Sequence, residues 1–385
     1  MGMILDNDSF LAISNTITNP YIEEWKNNNK KVIGYYCTYL PEELFHAAGL
    51  LPFRIRATNH KEDDLADTYM VRFTCSFVRS TLDLALRGGY DFLDGLFISN
   101  CCDHARRMYE IFDLKVFSRE EFKQKPPRFY TAVPHVITEE GFKWYKTEVD
   151  ELKAELEESY SVTITNEALK NSISLYNENR RLLREIYKLR SLDIPKLSGS
   201  EFLQISMANS SVPIEIANQE LKRILEKLKN SEVKNLKDKK RIMLVGSVVD
   251  NINYTNLIEE SGSFIVTDLL CFGNRNILDD VDLDNDGDPL EDISKRVYYR
   301  MSCPRMMDDH TRRLEYLKEQ VKIAKVDGII LERINNCDLH GCDNMLFEYE
   351  FKDSGVPVFS MDRESYQTDI SRLQTRIEAF LEMIK

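Results

Sequence analysis

Two stretches with the same order of residue types constrain the fold most strongly. Residues 94–103 read DGLFISNCCD, and residues 327–338 read DGIILERINNCD. Each stretch predicts a turn, a buried strand and then a cysteine-containing corner that opens into a helix. Open α/β sheets bind their ligands in the crevice beyond the carboxyl ends of the strands. If both corners face one crevice, they are placed to hold a single metal cluster between them.

The regions around the two corners alternate strand-like and helix-like segments, which predicts parallel sheets with helices on both faces. The strand-like segments are residues 31–36, 52–56, 95–99, 129–133, 241–246, 264–270, 328–334 and 356–361. Between these regions, helical periodicity covers 141–159, 166–189 and 214–228, with a predicted loop that contains Pro195, Gly199 and Pro213. We interpret the lysine-rich run 234–241 as a solvated connector.

These patterns predict an α/β fold with two Rossmann-like, flavodoxin-like parallel-sheet domains and a helical middle and N-terminal region. With 385 residues, the chain is long enough for two or three domains. The predicted units are an N-terminal helical segment (1–30), a first Rossmann-like domain (31–138), a helical region (139–238) and a second Rossmann-like domain (239–385).

Charge and cysteine usage narrow the class of protein. A net charge of −13 argues against nucleic acid or an anionic membrane as a partner, since both would repel the protein. The chain has neither an apolar run of the ~18 residues that span a bilayer nor a signal-peptide pattern. We therefore expect a cytoplasmic protein, in which the 8 cysteines are reduced thiols or metal ligands.

Several local motifs are missing. The sequence contains no G-x-G-x-x-G after a first strand, no phosphate-binding G-x-x-x-x-G-K-[ST], no H-E-x-x-H and no C-x-x-C. Residues 282–288 resemble half of a calcium loop, but position twelve is Ile293 where a glutamate is required, so we interpret them as an acidic turn. We assign no functional role to three of the histidines, His46, His104 and His340.

Five cysteines lie at or near predicted helix starts: Cys75, Cys101, Cys102, Cys337 and Cys342. The N-terminus of a helix lowers the pKa of a thiol, and thiolates from distant segments can bind one iron–sulfur cluster. The adjacent pair Cys101 and Cys102 contributes at most one ligand. From the residues alone, two interpretations of these cysteines remain open. They bind one shared cluster, or they are unrelated thiols that pack in the core.

Residues 32–52, VIGYYCTYLPEELFHAAGLLP, resemble the N-terminal signature of the 2-hydroxyacyl-CoA dehydratase family, which also contains the benzoyl-CoA reductase subunits. The similarity continues through residues 75–80, 94–106, 326–330, 337–338 and 355–358, so it covers nearly the whole chain. The PEEL-x₂-AAG block and the ordered cysteines are its most specific parts.

The resemblance implies one subunit of an α/β heterodimer in which three cysteines of each subunit bind a [4Fe-4S] cluster. Matched by position, the cluster ligands are Cys75, Cys102 and Cys337. Cys101 is the alternative to Cys102, and Cys337 is preferred to Cys342 because its Cys-Asp pair fits the family pattern. The resemblance leaves three thiols without a ligand role, namely Cys37, Cys271 and Cys303.

The resemblance also implies a lyase of anaerobic amino-acid fermentation that removes water from a 2-hydroxyacyl-CoA through a ketyl radical. An ATP-dependent iron–sulfur activator protein supplies the electron, which agrees with the missing nucleotide motif here. At 45.0 kDa, the chain is more similar to the β subunit, which relays the electron to substrate held by the α subunit. The alternatives are a benzoyl-CoA reductase-type subunit and a cluster-free binding or scaffold protein.

Overall fold

The computed structural model describes residues 5, 8–122, 124–231, 239–284, 286–365 and 370–384. Three parts of the sequence-based predictions fall outside the described residues. They are residues 234–238 of the connector, Asn285 of the acidic turn and residues 367–369 of a helix predicted at about 367–384. The N-terminal segment contains the short helices α1 (Ser9–Ala12) and α2 (Pro20–Asn27). The Asn19 side chain caps α2 and Pro20 occupies its first turn, where a missing N–H costs nothing.

The first sheet forms where strand-like segments were predicted. Its elements are β1 (Val32–Tyr35), α3 (Glu42–Ala47), β2 (Leu51–Arg54), α4 (Ser76–Leu86), β3 (Gly95–Ser99), α5 (Asp103–Ile111) and β4 (Arg128–Thr131). The strands are parallel in the order β2-β1-β3-β4. Strands β1, β2 and β3 are buried along their whole length, as expected for a parallel sheet covered on both faces.

The helical region is α6 (Glu139–Tyr160), α7 (Asn166–Arg190), α8 (Gly199–Asn209) and α9 (Ile214–Asn230). The predicted loop containing Pro195, Gly199 and Pro213 is wrong over α8. Gly199 is the first helical residue because Ser198 and Glu201 form a capping box on either side of it. Local hydrogen bonding at the helix start therefore outweighs the weak helix propensity of glycine.

The second sheet repeats the topology of the first. Its elements are β5 (Lys240–Gly246), α10 (Ile252–Glu260), β6 (Ser263–Leu269), α11 (Pro289–Tyr299), α12 (His310–Ile323), β7 (Gly328–Ile334), α13 (Asp338–Phe351), β8 (Val358–Arg363) and α14 (Ile370–Met383). The strands are parallel in the order β6-β5-β7-β8. Within the described residues, two four-stranded parallel sheets surrounded by helices confirm the predicted α/β class; the domain boundaries stay a prediction.

Candidate metal centre

The strand orders place a ligand crevice in each half of the chain. In each sheet the order in which successive strands are added reverses between the first and third strands, which are β1 and β3 in one sheet and β5 and β7 in the other. Ligands of such sheets bind beyond the carboxyl ends of these two strands. Cys37 follows β1, Cys101 and Cys102 follow β3, and Cys337 follows β7. Both cysteine corners predicted from the sequence are therefore at the crevice ends of their strands.

The three expected ligands share one structural position, the residue that caps a helix at its N-terminus. Cys75 precedes α4, Cys102 precedes α5 and Cys337 precedes α13. The Cys102 sulfur accepts the backbone N–H of Ala105 at 3.5 Å, and backbone N–H groups of Phe77 and Val78 favour the Cys75 thiolate. Each sulfur thus meets the positive end of a helix dipole, which stabilises a thiolate or an anionic metal–sulfur group.

Electrostatic coupling shows that the three sulfurs share one neighbourhood. Burial raises the pKa of the Cys75 thiol to about 12, and the charge of Cys102 adds to that rise. Burial also raises the pKa of Cys337 well above its usual range, with further contributions from Cys75 and Cys102. All three contact one apolar cluster, in which Cys75 is buried and Cys102 and Cys337 are partly buried. The fold therefore brings together residues up to 262 positions apart in the sequence.

The spacing of these thiols does not suit a single ion. Three sulfurs on one tetrahedral ion lie about 3.8 Å apart, because metal–sulfur bonds are about 2.3 Å long. Within the described residues, Cys75, Cys102 and Cys337 do not form a group whose ligand atoms all lie within 4.8 Å of one another. The arrangement therefore requires a group larger than one ion if all three thiols are to bind it.

The other cysteines occupy different positions. Cys101 hydrogen-bonds to Cys102, which lowers the pKa of Cys102, and also to Cys37, whose pKa falls to about 5. Cys342 is exposed, in the second turn of α13. Cys271 accepts a hydrogen bond from the Arg275 guanidinium at 3.2 Å. Cys102, and not Cys101, has the helix-capping position.

His104, to which the sequence assigned no role, connects two of the cysteine corners. Its Nδ1 accepts the backbone N–H of Cys75 at 3.2 Å, so it fixes the start of α4 against the first turn of α5. Two further hydrogen bonds join the first half of the chain to the second near these corners. The Asn336 amide donates to the Arg72 carbonyl. The Ser365 N–H donates to Ser76 Oγ at 2.8 Å. No local sequence signal reveals these contacts, because each partner is distant in the chain.

A buried ion pair supports the strands that lead to the Cys337 corner. Glu332 and Arg363 are both fully buried, and Arg363 Nε lies 2.8 Å from Glu332 Oε2. The other carboxylate oxygen accepts the N–H and the hydroxyl of Ser247, while the Arg363 carbonyl accepts the N–H of Asn335 at 2.8 Å. The pair therefore fixes β7, β8 and the turn that leads to Cys337 in one arrangement.

One acidic group offers a different set of metal-ligating side chains. Glu62, Asp64 and Asp83 have carboxylate oxygens within 4.8 Å of one another. All three are already ion-paired with Arg87. Because one guanidinium contacts all three carboxylates and balances part of their charge, this group is an ion-pair network. Separately, no helix in the described part of the chain is both long enough and apolar enough to cross a membrane.

Comparisons with known proteins identify the family that the whole chain resembles. The family model of the 2-hydroxyglutaryl-CoA dehydratase D-component matches residues 37–384. The chain is 28% identical to a benzoyl-CoA reductase subunit of Thauera aromatica, over 94% of this chain and 93% of that protein. It is 28% identical to the lactoyl-CoA dehydratase subunit beta of Anaerotignum propionicum, over 92% of each chain. It is 26% identical to the (R)-phenyllactyl-CoA dehydratase beta subunit of Clostridium sporogenes, over 97% of this chain and 98% of that protein.

Proposed function

The chain belongs to the 2-hydroxyglutaryl-CoA dehydratase D-component family, and we propose that it is the β subunit of a 2-hydroxyacyl-CoA dehydratase. In this role it relays one electron from an ATP-dependent iron–sulfur activator to an α subunit that holds the acyl-CoA. The observation that carries the proposal is the meeting of three helix-capping thiols at the crevice ends of two parallel sheets. Relatives named as β subunits of dehydratases support the choice of subunit.

The residues fit a [4Fe-4S] cluster bound by Cys75, Cys102 and Cys337. Thiolates are the donors that such clusters use, and these three are not all within the 4.8 Å of one another that ligands of a single ion would need. A bound cluster supplies a one-electron carrier. The protein residues supply three helix N-termini that stabilise negative charge and an apolar lining that excludes water, which includes Ile334 and Met108. His104 holds the Cys75 corner in position.

A relay subunit has no activity by itself. We expect the purified chain to show no dehydration of any 2-hydroxyacyl-CoA above background, because substrate is held by the partner subunit. Adding the α subunit, the activator and ATP together should restore enoyl-CoA formation, measured by liquid chromatography of the thioesters. Turnover by the lone chain would contradict the relay role.

An exposed apolar surface lies beside the cysteine corners, and we propose that the α subunit docks there. On α13, Cys342, Met345, Leu346 and Tyr349 follow a helical i, i+3, i+4, i+7 spacing, and all four are exposed. The loop before Cys75 adds Val71 and Phe73, and the latter is 80% exposed. Exposed apolar groups that cluster around a site mark interaction surfaces, and docking here would bring the partner next to the three thiols.

This docking surface can be tested by a charge substitution. Tyr349→Asp places a carboxylate in the proposed interface, and we expect at least tenfold weaker copurification of the α subunit, as for a central aromatic contact. Met383→Asp is the matched control, since Met383 is 72% exposed on α14. Equal recovery of the α subunit with both variants would exclude this surface as the interface.

A second candidate function is a benzoyl-CoA reductase-type subunit. The similarity to the benzoyl-CoA reductase subunit of Thauera aromatica is as high as that to the lactoyl-CoA dehydratase subunit. The thiol arrangement serves either reaction, because both use a protein-bound one-electron carrier. Assaying the reconstituted complex with 2-hydroxyacyl-CoA and with benzoyl-CoA distinguishes the two functions.

A further inference from the structure

Four buried arginines lie on β2, on α7 and at the end of α11. Arg54, Arg180, Arg296 and Arg300 are each at most 5% exposed. Arg180 is paired with Glu43 at 2.8 Å, and its Nε lies 3.6 Å from Asp280. Among the described residues, Arg54, Arg296 and Arg300 have no carboxylate within ion-pair distance. Buried charges of this kind are costly unless a counter-ion balances them.

The same arginines have N–H groups that lack acceptors. Within the described residues, Arg54 Nε, Arg180 Nε, Arg296 Nη1 and Arg300 Nε are buried without a hydrogen-bond partner. Mutual repulsion is also evident, since burial together with the nearby Arg180 charge lowers the pKa of Arg296 to about 10. Arg296 and Arg300 line a separate pocket that is rich in aspartates. Outside that pocket, the charge that lacks a carboxylate within ion-pair distance in the described part of the chain is therefore that of Arg54.

A cavity of about 40 Å³ opens between two of these side chains, Arg54 and Arg180. Ser206 and Asn209 of α8 also line it, and the Ser206 hydroxyl has no partner. Glu42 is the carboxylate on its wall, and its Oε1 already accepts the Tyr35 hydroxyl at 2.6 Å. Since one water needs roughly 10–15 Å³, the cavity has room for a few atoms and excludes a nucleotide or an acyl-CoA.

Arg54 is the best-placed group to bind an anion in this cavity. It is 3% exposed, and its Nη1 donates to the Cys271 carbonyl at 2.6 Å while its guanidinium stacks on the Phe272 ring at 3.8 Å. These contacts fix the orientation of the guanidinium but leave its charge unbalanced. A guanidinium held in one position with a free N–H is pre-organised for a small carboxylate or a halide.

We propose that the cavity between Arg54 and Arg180 binds one small monovalent anion, chloride or a short carboxylate such as acetate. The bound anion balances the charge of Arg54 and accepts a hydrogen bond from its unpartnered Nε–H group. The cavity is lined by β2, by α7 and α8, and by the loop that contains Phe272, Gly273 and Asn276. Anion binding therefore also links both sheet-bearing parts to the helical region. This site is independent of the proposed electron relay.

Thermal unfolding of the full-length chain in buffers of constant ionic strength tests the proposal. The reference buffer contains the sodium salt of a sulfonate that is too large to enter the cavity. In separate titrations, this salt is replaced stepwise by sodium chloride or by sodium acetate. We expect a saturable rise in Tm of roughly 2–5 °C with at least one of the two small anions. Arg54→Gln should lose this rise, whereas the exposed control Arg72→Gln should keep it. No saturable rise, or the same rise in Arg54→Gln, would overturn the proposal.

A second variant tests the site even if Arg54→Gln does not fold. Ser206→Asp places a carboxylate in the cavity, where it should replace the anion. In the bulky-anion buffer we expect Ser206→Asp to have a higher Tm than the neutral Ser206→Asn and to respond to neither chloride nor acetate. A Tm of Ser206→Asp at or below that of Ser206→Asn would contradict an anion site, because a cavity filled only with water gives no preference for charge.

Discussion

Replacing Cys102 with serine should remove most of the iron from the protein and most of the activity of its complex. A serine hydroxyl remains protonated at neutral pH and is a poor donor to iron, whereas the Cys102 thiol lies at a helix N-terminus and has a lowered pKa. We expect iron content and complex activity to fall by roughly tenfold or more. Even the loss of a group that only hydrogen-bonds to a metal ligand lowers metal affinity or activity by about tenfold or more. Iron is measured by colorimetric assay after anaerobic purification.

Two matched variants make this prediction specific. Cys303→Ser should keep its iron, because Cys303 does not cap any of the three helices that carry the site. Cys101→Ser should also keep it, because Cys101 is next to the cap and hydrogen-bonds to Cys102 and Cys37. Equal iron in Cys102→Ser and Cys303→Ser would defeat the ligand assignment, and loss of iron only in Cys101→Ser would transfer the role to Cys101.

Truncating Glu332 should strongly destabilise the second sheet. Glu332→Ala leaves the guanidinium of Arg363 without its carboxylate partner, although both side chains are fully buried. Breaking a buried ion pair from one side costs about 3–5 kcal/mol of unfolding free energy. Urea unfolding of the apoprotein, followed by circular dichroism, measures this change.

The adjacent residues on the same strands provide the control. Arg333 and Asp362 form an ion pair that is half exposed, with side-chain exposures of 35% and 50%. Asp362→Ala should therefore change the unfolding free energy by less than about 1 kcal/mol. If both variants are destabilised equally, the buried pair has no special role in the support of the Cys337 corner.

The sequence predicted the sheets well because their strands are continuous apolar runs that end at cysteines or turn residues. Strands Gly95–Ser99 and Gly328–Ile334 match the predicted bounds. Helix α8 was missed because its signal is a pair of side-chain hydrogen bonds, between Ser198 and Glu201, and not apolar periodicity. Helix α11 was not predicted either, although Asp288 caps it and Pro289 begins it.

The surroundings of the candidate site were less predictable than its cysteines. The cysteines could be selected because each follows a strand or begins a helix, which are local properties. The supporting contacts join residues far apart in the chain, as for His104 with Cys75 and for Ser365 with Ser76, which are 29 and 289 positions apart. A sequence pattern cannot give such pairs, because they depend on how helices and sheets pack.

Iron and sulfide analysis of the anaerobically purified chain, combined with electron paramagnetic resonance after reduction, is the most direct test of the cluster-binding role. With Cys75, Cys102 and Cys337 as ligands, the protein should be brown, contain about four irons and four sulfides per chain, and give a signal of a reduced [4Fe-4S] cluster. A colourless protein that binds no stoichiometric iron, even after anaerobic incubation with iron and sulfide, would contradict that role.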